Sequence, residues 1–217
     1  MRKHVLKFGG TCLGDTNKYK WILNELKDNY INKNIFPIVV VSAISPKNKE
    51  EGTTSNLIKC LSKEDYSPYL DIIKNTHEKL INRLDLENTD IYKKCIPKFK
   101  EIEILANSAK LLQYNSKNNN HTNHILYENI VKIGEELSAE IMNEYLNKNG
   151  LYSDYLDLSN IIPNNCENMS IYNKEINENI HDIYTRSLFI SRDLFVVGGY
   201  LGNWSNIFTT NEKNYSN

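Results

Sequence analysis

No window of this sequence approaches the run of about 20 apolar residues that crosses a bilayer, so a membrane span is not expected. The start, Met1-Arg2-Lys3-His4-Val5-Leu6-Lys7, lacks the apolar stretch of about 7–15 residues that defines a signal peptide, and cytoplasmic residence is the expectation. Charge of one sign is missing too. Twenty-six Lys and Arg meet 27 Asp and Glu for a net charge of −1, which gives no field to gather nucleic acid or an acidic membrane. The four cysteines (Cys12, Cys60, Cys95 and Cys166) stand far apart, with no C-x-x-C pair and no nearby histidine cluster. That spacing excludes a zinc knuckle and predicts no metal site. A chain of 217 residues also has core enough to need no disulfide scaffold, so the cysteines read as reduced, structural thiols. Glycine and arginine are sparse, while Asn, Lys, Ile and Tyr abound. This is the imprint of an A+T-rich coding sequence, and Asn115–Asn120 reads as a tolerated surface loop.

What is present is an alternation of strands and helices. Val5–Phe8 is a short apolar run stopped by Gly9-Gly10, a strand entering a tight turn. From Asp15 to Tyr30 the apolar residues Tyr19, Ile22, Leu23, Leu26 and Tyr30 recur at steps of three and four. They predict an amphipathic helix capped by Asp15 or Thr16. Phe36–Val41 is a β-branched run suited to a strand buried on both faces. A Gly turn at Glu51–Thr54 leads into a helix through Leu57, Ile58 and Leu61. The stretch from Pro68 to Gln113 reads as helical almost throughout, with Leu70, Ile73, His77, Leu80, Ile81 and Leu84 on one stripe and Pro97 marking the start of a second helix. A further helix is expected from Ile125 or Asn129 to Asn149, closed by Gly150. Strands at Tyr152–Leu156 and Leu194–Val197 flank a helical Ser170–Leu188. This order predicts a three-layer α/β/α sandwich with a mostly parallel sheet and a helical insertion at about residues 65–115.

Three clusters could carry chemistry. In Lys7-Phe8-Gly9-Gly10-Thr11-Cys12-Leu13-Gly14-Asp15, glycines between strand and helix let backbone amides approach an anion, and Lys7 could set a compact charge against a phosphoryl group. The alternative is a turn that needs glycine for positive φ. Neither a P-loop sequence nor G-x-G-x-x-G is present. In Val39-Val40-Val41-Ser42-Ala43 and Glu51-Gly52-Thr53-Thr54-Ser55, the hydroxyls of Ser42 and Thr54 lie where open α/β sheets bind ligands, or else they cap the next turn and helix. In Gly134-Glu135-Glu136-Leu137-Ser138-Ala139, glycine weakens a helix without an evident packing reason. Glu135, placed near a helix start, could bind an ammonium group or be an ordinary exposed carboxylate.

Taken in order, Lys-Phe-Gly-Gly-Thr, Val-Val-Ser-Ala, Gly-Thr-Thr and Gly-Glu-x-Leu-Ser-Ala resemble the signature of the aspartate kinases, members of the amino-acid kinase fold. Tyr155–Pro163 and Val196-Val197-Gly198-Gly199-Tyr200-Leu201-Gly202 extend the likeness, which runs from about residue 3 to 202. Glu51–Cys60 and the helical insert are similar to the fungal form. The resemblance implies transfer of the γ-phosphoryl of ATP, with Mg²⁺ on the nucleotide, to the β-carboxylate of L-aspartate, the first committed step toward lysine, threonine and methionine. It further implies that Lys7 stabilises the transferring group, that Gly9, Gly10 and Thr11 cradle phosphate, that Ser42 and Thr54 border the substrates, and that Glu135 pairs with the aspartate amino group.

The tail departs from that pattern. Where the family has a Gly-Arg-Gly-type loop, this chain has Thr209–Asn217, with Lys213 in place of Arg, and then ends. Residues 1–217 therefore read as the N-terminal part of a kinase domain, without regulatory domains and incomplete or inactive by itself. Leu194–Val197 is expected to have lost a neighbouring strand and to expose an apolar edge. The rival expectations are a non-catalytic aspartate-binding fragment, a partner of a full-length kinase, a homodimer, or a kinase for another amino acid.

Overall fold

A computed structural model describes residues 2–45, 51–112, 120–157, 178, 181–183, 185 and 191–199. The expectations for Cys166, Leu158–Pro163, Tyr200–Gly202 and Thr209–Asn217, and most of those for Asn115–Asn120 and Ser170–Leu188, lie outside these residues.

Four strands form one parallel sheet: β1 (Arg2–Phe8), β2 (Ile35–Val41), β3 (Ser153–Leu156) and β4 (Leu194–Gly198), in the order β1-β2-β4-β3. The registers Lys7↔Val40, Val40↔Val197 and Tyr155↔Val196 bring the C-terminal ends of all four to one edge. The β-branched run of β2 suits its interior place, with a neighbour on each side. The fold is α/β, as the strand–helix alternation predicts. One expectation fails. β4 is not an exposed edge but lies between β2 and β3 with both edges paired, and among the described residues the outer strands are β1 and β3. Sequence proximity suggests a terminal position for β4, but the long excursion before it lets the chain return to the sheet's centre.

The helices are α1 (Gly10–Leu13), α2 (Thr16–Asn29), α3 (Thr53–Ser62), α4 (Ser67–Arg83), α5 (Ile91–Leu111) and α6 (Asn120–Lys148). Asp15 is the N-cap of α2, its carboxylate accepting from the Asn17 N–H at 2.9 Å. The α4 stripe from Leu70 to Leu84 is buried as the periodicity predicts. Gly150 closes α6 at φ +81°, a conformation costly for any other residue.

Pro97 does not start a helix. It lies inside α5, which begins at Ile91. Ile91, Cys95, Phe99, Ile102, Ala106 and Ala109 form one buried stripe through it, and that burial outweighs the lost hydrogen bond because Pro97 and the freed carbonyl region face solvent. Likewise α6 begins before the expected Ile125.

Val39, Val41, Leu194 and Val196 point from one face of the sheet into a single apolar core with α2 through α6. Tyr19 of α2 meets Tyr145 of α6 edge-to-face at 5.3 Å within it. On the other face Phe36 and Phe195, their rings 5.1 Å apart, are buried as well. On that second face Ile38 and Val40 are only partly buried, so the sheet is closed most completely on the side of the helices.

Candidate active site

At the C-terminal edge the chain leaves β1 through Gly9 and at once makes α1, and it leaves β2 through Ser42–Ser45. Backbone hydrogen bonds knit these exits together: Ser42 N–H to Phe8 O at 3.2 Å, Ser45 N–H to Gly10 O at 3.0 Å, Thr53 N–H to Ile44 O at 3.0 Å and Gly199 N–H to Val41 O at 2.9 Å. Between them lies a cavity of about 510 Å³ lined by Gly9–Thr11, Ala43–Ser45 and Gly52–Ser55.

Among the described residues, no charged side chain lines it. The wall offers backbone amides, the hydroxyls of Thr11, Ser45, Thr54 and Ser55, and the starts of α1 and α3. Neither start has a side-chain cap nor an acidic residue in its first turn, which leaves the positive ends of the peptide dipoles toward the cavity. The Asn56 side chain holds the turn before α3 by donating to the carbonyls of Glu51 and Gly52 at 3.0 and 3.1 Å.

Two structural explanations raised by the sequence are excluded. Gly9 has φ −77° and Gly10 is helical, so positive φ does not explain them. Gly10 is glycine because a Cβ there would lie 2.2 Å from the Ala43 carbonyl oxygen. Nor does Thr54 cap a helix, since the N-cap of α3 is Gly52.

Of the residues singled out by sequence, the cavity gathers Gly9, Gly10, Thr11 and Thr54. Ser42 stands beside it, half-buried, on the first residue past β2. Lys7 is exposed, on the sheet face away from the helical core, in register with Val40. Glu135 is not near a helix start. It lies midway along α6, and the helix dipole therefore contributes nothing to it. Its carboxylate reaches the end of β4, where a Cβ at Gly199 would be 3.4 Å from Oε2 and one at Gly198 would be 3.3 Å from the Glu135 Cβ. Gly199 thus lies against this carboxylate, and Gly198 against the Cβ and backbone of the same residue.

The adjacent Glu136 turns the other way. It is buried, ion-paired to Lys98 of α5 and 3.7 Å from Lys132. Burial opposes the charge of Lys98, but its hydrogen bond to Glu136, together with the carboxylates of Glu136 and Glu101, outweighs that and raises its pKa. The two glutamates therefore differ in kind: one faces the ligand edge, the other ties α6 to α5.

Sequence reasoning passed over Thr53, Ser45 and Ser55. Thr53 is buried, its Oγ1 without a hydrogen-bond partner. The run of hydroxyls Thr53-Thr54-Ser55 was the available signal, but only the fold tells which of them face the cavity. Among the described cysteines, Cys60 and Cys95 are buried and their thiols are pushed up to about 12 by desolvation, which makes them unreactive.

The sequence profile of the amino acid kinase family matches residues 2–202. Among curated proteins the chain is similar to the aspartokinase of Candida albicans, 27% identical over 165 residues, a match covering 73% of this chain and 28% of that protein. It is similar to that of Saccharomyces cerevisiae at 29% over 171 residues, covering 73% and 30%. Its fold matches Escherichia coli aspartokinase III solved with aspartate and ADP at a TM-score of 0.69 and 20% identity, over 92% of this chain and 40% of that one. The same enzyme with lysine and aspartate gives 0.69 at 19%, over 91% and 40%. The chain thus spans between 28% and 30% of these two curated relatives. With the profile matched across nearly its whole length and the parallel sheet ending in a glycine-lined cavity, the chain belongs to the amino acid kinase family.

Proposed function

We propose that this chain carries part of an aspartate kinase site, which transfers the γ-phosphoryl of ATP to the β-carboxylate of L-aspartate to give 4-phospho-L-aspartate on the route to lysine, threonine and methionine. The observation that carries the reading is the convergence, at one edge of a parallel sheet, of a cavity rich in amides and hydroxyls with the Glu135 carboxylate beside Gly199. An anionic group suits the first and an ammonium group the second. A short amino acid that carries a side-chain carboxylate has both.

In this reading Gly9, Gly10 and Thr11 receive phosphate through close backbone approach, and Thr54 and Ser42 border the bound substrates. Glu135 holds the aspartate ammonium, and Lys7 swings over the strand end to meet charge building on the transferring group. No side chain need become covalently bonded, because phosphoryl transfer asks the protein mainly for position and charge. Mg²⁺ is expected with the nucleotide. Among the described residues no group of three His, Cys, Asp or Glu could hold a metal ion.

ATP-dependent formation of aspartyl hydroxamate by the purified chain tests the reading. Turnover should fall about a hundredfold or more in Lys7→Ala; turnover unchanged by that substitution would remove Lys7 from the chemistry. A second reading, an aspartate-binding module without turnover, is favoured by one observation. Among the described residues, no cationic side chain lines the cavity. L-Aspartate binding in the absence of hydroxamate would support it.

A further inference from the structure

Midway along α6 stands a glycine, the poorest helix former after proline, at a place where no turn or bend requires it. The space around it supplies a reason. A Cβ built on Gly134 would lie 2.9 Å from Leu57 Cδ1, 3.0 Å from Ala43 Cβ and 3.2 Å from Thr53 Cγ2. The Leu57 methyl is a flexible tip and can swing aside. Ala43 Cβ is fixed to the backbone of the segment leaving β2, and Thr53 is β-branched and stiff at χ1. Ala43 and Thr53 both line the cavity.

One residue further along α6, Glu135 rests against Gly198 and Gly199. The helix is therefore in contact with the cavity wall at residue 134 and with the end of β4 at residue 135. A methyl at 134 therefore requires Leu57 to swing aside and Ala43 and Thr53 to give by a few tenths of an ångström, a shift between α6, α3 and the β2 exit that Glu135 shares.

Building on the aspartate reading above, we propose that Gly134 is a positioning residue. Its missing side chain sets how closely α6 approaches the wall formed by Ala43 and Thr53, and so sets the span between the Glu135 carboxylate and the amides and hydroxyls of the cavity. A substrate that bridges the two with an ammonium at one end and a carboxylate at the other feels that span directly. The hydrogen bond most exposed to the change is the one from Thr53 N–H to Ile44 O, 3.0 Å long, which ties the start of α3 to the loop.

The test uses the full chain with Gly134→Ala and reads three quantities: exchange of the Thr53 amide by NMR, the thermal midpoint, and the affinity for L-aspartate by calorimetry. The expected result is exchange at Thr53 faster by about tenfold, with core amides of α5 unchanged, and affinity lower by about tenfold. Adding Ala43→Gly, which removes the contact least able to move, should return both toward wild type. Unchanged exchange at Thr53, together with a higher thermal midpoint, would overturn the proposal and leave Gly134 an ordinary helix glycine. Should Gly134→Ala fail to fold, recovery of the fold in the double variant supports the proposal and failure to recover it refutes it. A wild-type chain that takes up no L-aspartate would sink the aspartate reading, and the exchange result would still decide the role of Gly134.

Discussion

The edge of the sheet and the helical bundle behind it are built from opposite materials. At the edge, close contact comes from side chains that are missing: Gly10 under the Ala43 carbonyl, Gly134 against Ala43 and Thr53, and Gly198 and Gly199 beneath Glu135. In the bundle, α4, α5 and α6 are held by buried stripes and by ion pairs, with Lys98 on Glu136 and with Lys94 at 2.7 Å from Glu144 and 3.7 Å from Glu140. Burial raises the Glu140 pKa against the pull of Lys94 and Lys98, so the fold tolerates that carboxylate more than it benefits from it. The two regions should therefore fail differently. Adding an atom should damage the edge, whereas removing or charging one should damage the bundle.

The largest expected effect lies at the edge. Gly10→Ala places a methyl 2.2 Å from a backbone oxygen that no side-chain rotation can move. It should cost about 3 kcal/mol of stability as well as ligand binding, measured by urea unfolding and calorimetry. A variant as stable as wild type would mean that the edge yields easily and is not defined by close contact.

A smaller effect is expected in the bundle, from charge. His77 is fully buried in α4; its Nδ1–H donates to the Ile73 carbonyl at 2.7 Å, while Nε2 has no partner. Desolvation lowers its pKa from 6.5 to about 4 despite that hydrogen bond. Since the folded value lies below the unfolded one, the unfolded chain binds more protons as pH falls through this window, and stability is lost on acidification. Between about pH 7 and about pH 5 the loss traceable to this residue should be about 2 kcal/mol. Denaturant melts of wild type and His77→Leu compared across that range read it, and an identical pH slope in the two proteins would show that His77 is not held neutral by burial.

The fold was legible where a local pattern decides it. The α4 stripe, the Asp15 cap and the Gly150 closure follow from neighbours within a turn or two, and so does the β-branched run of β2. What escaped depends on distant partners. β4 pairs with β2 across more than a hundred residues of chain, and nothing in Leu194–Val197 itself says that it sits between β2 and β3. Pro97 stays inside α5 because Ile91 and Cys95 are buried by other helices. In the site, the glycine motifs marked the right edge, but their spacing could not tell why Gly10 must be glycine. Nor could it tell that Glu135 and Glu136, side by side in sequence, face different work.

Those two residues give the most direct test of the division between edge and bundle. Glu135→Gln and Glu136→Gln should be compared for L-aspartate affinity by calorimetry and for stability by urea unfolding. Glu135→Gln is expected to lose about tenfold or more in affinity with stability nearly unchanged. Glu136→Gln, which removes the closer of the two carboxylates paired with the half-buried Lys98, should lose about 2 kcal/mol of stability and bind L-aspartate normally. The reverse pattern, or equal losses of both kinds in both variants, would contradict that division.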